Sequence, residues 1–138
     1  MSNLEQLGLY FLNRHGPIID GVFLEKNIIN RMTRLKKFTF NIRSMVPLPN
    51  QVNLPPNEDL QNTFRNFQNN QIISCVNYFS KADEFHCHIY SYPYTLAYYN
   101  DITNNFPGGL FKCIREVYLF DEPSFEHDFF LQIAQSFP

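Results

Sequence analysis

Two histidines flank a cysteine in the tripeptide His86-Cys87-His88, whose residue types suit a transition metal. On a β-strand, successive side chains point to opposite faces, so the two imidazoles would share a face and the thiol would point away from them. Two ligands are too few for a structural zinc site, which takes four. The other histidines, His15 and His127, lie in distant parts of the sequence. We therefore expect neither a metal site nor a cofactor.

Cysteine or acid–base catalysis is the other chemistry that these residues could support. A cysteine nucleophile needs a base on the same side of its element or across a cleft. Cys87 is expected to point inward, Cys75 lies in an apolar stripe with helical spacing, and Cys113 precedes a predicted strand. The acidic residues around His127 are interpreted as the solvated start of a helix: Glu122, Glu126 and Asp128. The sequence thus predicts no enzyme.

A repeated apolar pattern, apolar-x-x-apolar-x-x-apolar-x-apolar, indicates the architecture. Its four copies begin at Met1, Met32, Phe79 and Phe111, so successive copies start 31, 47 and 32 residues apart. Repeats of this length are typical of solenoids, in which each unit buries its apolar edge by stacking on its neighbours. We expect an α/β leucine-rich-repeat-like solenoid as a single domain over 1–138, with about four parallel strands stacked in one sheet and helices or loops on the convex side. Because neither end has a polar capping repeat, we expect it to be a fragment of a longer solenoid.

The elements of this solenoid follow from local patterns. Alternating apolar residues predict strands at 6–11, 37–42, 84–90 and 116–120. Apolar stripes with helical spacing predict helices at 22–32, 57–68, 71–79 and 124–136. Four prolines predict a Pro-rich loop insertion at 45–57. A Tyr/Pro-rich connection at 91–99 and one helical turn at 101–106 are expected before the fourth strand.

Several segments resemble the divergent, leucine-rich-repeat-like C-terminal regions of F-box proteins: NIINRM at 27–32, KFTFNIRS at 37–44, CHIYSYPY at 87–94, NNFPGGLF at 104–111 and IAQSFP at 133–138. In that family an N-terminal F-box recruits a cullin-type ubiquitin ligase through its adaptor, and the repeats select the substrate. The resemblance implies that this chain is the substrate-recognition part. Contact with the ligase adaptor would need an F-box upstream, because the chain itself contains none.

The predicted strands also predict a binding face. With Leu9, Phe40, Cys87 and Leu119 pointing inward, the alternate residues would form two exposed rows on the concave side. Exposed aromatic side chains suit a protein-binding surface because they offer large contact areas at low entropic cost. The alternative is a structural or degenerate repeat fragment without an independent binding function. The predicted partner-binding residues are Tyr10, Thr39, Asn41, His86, His88, Tyr118 and Phe120.

Composition bounds the partner and the compartment. The formal net charge is −2 and the isoelectric point is near 6.0, which gives no electrostatic footprint for nucleic acid. No apolar run is long enough to cross a membrane, and the N-terminus lacks the uninterrupted apolar stretch of a signal peptide. Three widely spaced cysteines favour reduced thiols. We expect an intracellular protein, cytoplasmic or nuclear, whose partner is a protein of unspecified identity.

Overall fold

The structure is a computed structural model, and it describes residues 3–14, 17–47, 56–67 and 71–138. Within these residues the chain forms strands and short helices. The strands are β1 (Gln6–Asn13), β2 (Lys37–Pro47), β3 (Gln71–Phe79), β4 (Glu84–Tyr92), β5 (Tyr98–Ile102) and β6 (Glu116–Leu119). The helices are α1 (Gly21–Leu24), which continues into a π-helical segment (Glu25–Ile29), α2 (Asn57–Asn62) and α3 (His127–Ser136).

The strands form two sheets. A four-stranded sheet has the order β1-β2-β4-β3, and a two-stranded sheet pairs β5 with β6. β1 runs parallel to β2, whereas β2 and β3 are both antiparallel to β4. The pair β5–β6 is parallel. The predicted solenoid is therefore wrong: the four-stranded sheet is mixed, its order is not sequential, and the last predicted strand belongs to a different sheet.

The segment 71–79, for which the sequence predicts a helix, accounts for this difference. It forms β3, and a turn at 80–83 sends the chain straight back into β4 as an antiparallel hairpin. Asp83, at the end of that turn, has a positive φ of 54°. Ile72, Ser74 and Val76 face one side of the sheet, and the residues between them face the other, which is the period of a strand.

The remaining elements agree with their predictions to different extents. The predicted strands at 6–11, 37–42, 84–90 and 116–120 are strands, and the first three extend by two to five residues. The predicted helices at 22–32, 57–68 and 124–136 are present but shorter. Residues 45–47 of the predicted loop belong to β2, and its residues 48–55 lie outside the described chain. The segment 98–102, predicted as a connection followed by a helical turn, is β5.

The four-stranded sheet has an apolar core on each face. On one face, Phe40 of β2 and Cys87 of β4 pack with Leu24, Leu60 and Phe64 from the helical side. On the other face, Tyr90 of β4 packs with β5, α3 and the segments around them, through residues that include Tyr99, Ile102, Phe106, Phe111 and Phe129. The molecule thus has three layers: α1 and α2, the four-stranded sheet, and β5–β6 with α3. None of the helices in the described chain has the length and apolarity that crossing a membrane requires.

The predicted inward set is correct in the four-stranded sheet and wrong in β6. Phe40 and Cys87 are buried, and Leu9 is partly buried against the same core. Leu119 is exposed, because β6 belongs to the second sheet and contacts none of the described helices.

Candidate functional site

The seven residues predicted to form one concave face lie in separate environments. The two predicted rows do not form, because β6 is not in the same sheet as β1, β2 and β4. Tyr10 and Thr39 form a pair on the open face of β1 and β2. Asn41 and His88 are buried between the layers, and His86 is half-buried beside them. Tyr118 lies on β6, and Phe120 directly follows that strand.

Tyr10 and Thr39 are held together on the open face of the parallel pair β1–β2. Gly8 lies directly opposite Thr39 in the register of the two strands. A Cβ atom at Gly8 would come within 2.9 Å of Tyr10 Cε2, so the tyrosine ring lies over the space that the glycine leaves. The Tyr10 hydroxyl and Thr39 Oγ1 are 3.1 Å apart and hydrogen-bonded. An exposed aromatic ring is thereby fixed on the surface of the sheet.

Asn41 and His88 form a polar pair inside the molecule. His88 Nε2 lies 2.8 Å from Asn41 Oδ1, and both side chains are buried under the second sheet. The imidazole is enclosed by tyrosine rings, with centroids 4.9 Å away at Tyr90 and 5.2 Å away at Tyr99. Burial, and then the nearby Arg43 guanidinium, lower the pKa of His88 well below its usual value. A neutral imidazole therefore lies between the four-stranded sheet and the layer that contains β5.

His86 shares the face of His88, whereas Cys87 points into the opposite core, as the alternation of a strand requires. His86 Nε2 lies 2.8 Å from Glu84 Oε2, and its ring is edge-on to Phe79 at 4.6 Å. Burial raises the pKa of the Cys87 thiol to about 12. Within the described ranges, no three His, Cys, Asp or Glu side chains are grouped in a way that could hold a metal ion.

The edge strand β1 carries two apolar residues that the sequence prediction of a binding face omitted, Phe11 and Leu12. Tyr10, Phe11 and Leu12 are 48%, 43% and 42% exposed. Of the described helices and strands, only β2 contacts β1, so none of them pairs with the other edge of its backbone. β1 contains no charged residue and no proline. The sequence does contain a signal for these exposed residues, namely three consecutive large apolar residues in a strand. Because successive side chains point to opposite faces, they cannot all be buried on one face of the sheet.

A groove lies beside this edge. It has a volume of about 320 Å³ and runs between the open face of β1–β2 and the segment that leads into β5. Arg43 lines this groove, its guanidinium donates a hydrogen bond to the Asn100 carbonyl, and Arg43 Cζ lies 5.5 Å from the centroid of the Tyr99 ring. In the described part of the chain no carboxylate forms an ion pair with Arg43. Lining side chains include Tyr10, Leu12, Asn41, Arg43, Tyr94 and Tyr98.

The opposite edge of the same sheet is more protected. α2 packs along β3, and the Gln61 side-chain amide donates to the Ile72 carbonyl at 2.8 Å. The Ser74 hydroxyl on β3 lies within hydrogen-bond distance of Gln61 Oε1, at 2.8 Å, and of Asn57 Oδ1, at 2.9 Å, both on α2. Natural sheets commonly cover an edge in this way, because an open apolar edge invites pairing with another chain. β1 thus differs from β3 in lacking a cover among the described elements.

The arrangement provides a strand edge that no described element pairs with, a row of exposed apolar side chains and an adjacent groove lined by the Arg43 guanidinium. These are the components of strand addition, in which backbone hydrogen bonds supply affinity and side-chain pockets supply specificity. No protein-family model, curated protein or solved structure matches this chain.

Proposed function

We propose that the chain is a protein-binding module that takes an extended segment of its partner as an additional strand on the open edge of β1. The observation that carries this proposal is the edge itself. Its eight residues contain no charge and no proline, and three consecutive large side chains are exposed on it. Soluble proteins ordinarily blunt such an edge with lysine, proline or a covering element. Within the described residues this edge has none of these protections, which suits it to a partner strand.

The backbone of β1 would supply the affinity. An added strand pairs with the N–H and C=O groups on the edge that faces away from β2, and it buries the exposed parts of Tyr10, Phe11 and Leu12. Each aromatic ring that is buried contributes a large apolar area. The hydrogen bond between Tyr10 and Thr39 fixes that ring before binding, which reduces the entropy that ordering it would cost.

The groove would supply selectivity. Alternate side chains of an added strand point to the groove face of the sheet, where tyrosine and leucine side chains surround the Arg43 guanidinium. Of the seven residues predicted for partner binding, Tyr10 and Thr39 belong to this surface, and Asn41 lines the groove. A role as the substrate-recognition part of a ubiquitin ligase component stays a prediction from the F-box resemblance, and the proposed binding does not depend on it.

The experiment is a peptide-display selection against the immobilised chain, followed by fluorescence polarisation with the enriched peptides. We expect extended apolar peptides to be enriched. The variant Leu12→Lys should weaken their binding at least tenfold, which corresponds to about 1.4 kcal/mol, because it places a charge on the edge. The matched control is Leu131→Lys on α3, which changes a leucine that is 51% exposed on a different layer.

Thermal unfolding of both variants establishes that they are folded. Selection of no peptide, or equal binding by wild type and Leu12→Lys, would contradict the proposal. Loss of binding in Leu131→Lys with retention in Leu12→Lys would place the site on α3 instead.

A further inference from the structure

A second open edge lies at β6, in the smaller sheet. β6 contacts β5 and no other element of the described chain. Its exposed residues Tyr118 and Leu119, and Phe120 directly after them, are 55%, 37% and 54% accessible. This edge is separate from β1 and from the groove beside it, so its use does not rest on the proposed function.

The backbone of β6 restricts how a further strand could pair with it. The N–H groups of Glu116 and Phe120 donate to carbonyl groups of Ala97 and Ile102 on the β5 side, at 3.2 and 3.0 Å. Alternate residues of a strand direct their N–H and C=O groups to opposite edges. Val117 and Leu119 therefore direct theirs to the open edge. An antiparallel copy of β6 centred on Tyr118 places each Val117 opposite the Leu119 of the copy, where they can exchange backbone hydrogen bonds.

The same register matches opposite charges. It places Arg115 of each copy opposite Asp121 of the other, at both ends of the paired strands. In the described chain Arg115 has no ion pair. The Asp121 carboxylate is fixed at the end of β6 by hydrogen bonds from the Asn104 backbone N–H at 2.8 Å and side-chain amide at 2.9 Å. Opposite charges facing each other across an antiparallel pair are stabilising.

The neighbouring registers lack this match. Centring the pair on Leu119 would place Glu116 opposite Glu122, and like charges directly opposite each other are destabilising. Centring it on Val117 would place Arg115 opposite Leu119. A shift by a single residue would set backbone groups that face β5 against groups that face the open edge. Only the pairing centred on Tyr118 satisfies both the backbone and the charges.

We infer that the partner for the β6 edge is a second copy of this chain, paired antiparallel through β6 around Tyr118. The two small sheets then become one continuous four-stranded sheet with a twofold axis at Tyr118. Such an interface uses the same patch on both copies, as closed dimers do. It also covers the exposed Tyr118, Leu119 and Phe120.

Disulfide trapping tests this register directly. In a Cys113→Ser background, which removes the exposed thiol, Tyr118→Cys is compared with Phe120→Cys under mild oxidation. Directly opposite residues of a non-hydrogen-bonded pair have Cα atoms about 4.5 Å apart, within disulfide range. In the proposed register Phe120 lies opposite Glu116 of the copy, so two thiols introduced at position 120 would be about 13 Å apart along the strands. We expect Tyr118→Cys to form a covalent dimer and Phe120→Cys to remain monomeric.

Adding Arg115→Glu to Tyr118→Cys should abolish the covalent dimer, since it sets two like-charged pairs across the strands. Circular dichroism before oxidation checks that each variant is folded. Equal crosslinking of Tyr118→Cys and Phe120→Cys, no crosslinking of either, or crosslinking that survives Arg115→Glu would overturn the inference. Sedimentation of the wild type that shows only a monomer, or assemblies larger than a dimer, would overturn it as well.

Discussion

The buried imidazole of His88 should make the stability of this protein fall when the pH drops below about 6.5. Burial, with a further contribution from Arg43, holds the pKa of His88 well below the value of 6.5 that it has in an unfolded chain. Between these two pKa values the unfolded state binds a proton that the folded state does not. The free energy of unfolding therefore rises with pH across this window and is lost as the pH falls through it.

The magnitude follows from this one proton. The slope approaches about 1.4 kcal/mol per pH unit below pH 6.5, so the protein should lose up to about 1.4 kcal/mol between pH 7.5 and pH 5.5 through His88 alone, the limit for an imidazole that stays neutral in the folded state. Chemical denaturation at a series of pH values measures this loss. His88→Gln keeps a donor for Asn41 Oδ1 and removes the titration, so its stability should be lower at pH 7.5 but should decline less towards pH 5.5.

The control is His127→Gln, which removes an exposed imidazole at the start of α3 and should keep the decline that His88 causes. Parallel pH profiles for the wild type and His88→Gln would refute the reasoning. They would mean that the imidazole is accessible to protons in the folded state, and that the layer of β5 does not seal the face of the sheet on which His88 lies.

Further predictions concern packing and can be checked by chemical denaturation. Phe40→Ala should cost about 3–5 kcal/mol, because the ring is buried in the core on the helical side, whereas Leu119→Ala on exposed β6 should cost less than about 1 kcal/mol; similar losses would contradict the layer assignment. Gly21→Ala should cost about 1–3 kcal/mol, because its Cβ would clash with the Thr63 backbone carbonyl oxygen in the turn after α2; an unchanged stability would show that Gly21 and this turn are packed less closely. Gly8→Ala should change stability by less than about 1 kcal/mol, since its Cβ would approach only exposed side chains, the Tyr10 ring at 2.9 Å and Thr39 Oγ1 at 3.4 Å; a larger loss there would show that the ring is part of the core.

Alternation along single strands could be predicted from the sequence. In β2 and β4 the inward positions Phe40 and Cys87 and the outward positions Asn41 and His88 follow from period two, and the structure confirms those faces. The parallel pairing of β1 with β2 also has the predicted register, with Gly8 opposite Thr39. These features follow from the alternation of side chains within each strand and from the matching apolar positions of the two strands, and both can be read from the sequence.

The helix predicted at 71–79 shows where local pattern fails. The apolar residues of this segment have the spacing of a helical stripe: Ile72, Ile73, Val76 and Phe79. The same spacing also fits a strand that is apolar on both faces, and β-branched residues favour the strand. Once this segment is β3, the hairpin to β4 makes the sheet antiparallel there. The repeat pattern cannot detect that change of direction, because the spacing of apolar residues along the sequence is the same whether a strand runs parallel or antiparallel to its neighbour.

The burial of Asn41 and His88 could not be predicted for a different reason. Their side of the sheet is the outer side of each strand, and only the packing of β5 and α3 across it makes it an interior. β5 is irregular: its pairing with β6 shifts register between Tyr99 and Ile102, and Asp101 has a positive φ of 54°. Short irregular strands stabilised by distant contacts leave little trace in local sequence.

Hydrogen exchange of the β1 amides, with and without a saturating selected peptide, is the most direct test of binding at the β1 edge. Addition of a partner strand should slow exchange within Gln6–Asn13 at the amides that face away from β2, and leave β6 and α3 unchanged. Unaltered exchange in β1 while the peptide is bound, or new protection confined to another element, would contradict strand addition at this edge.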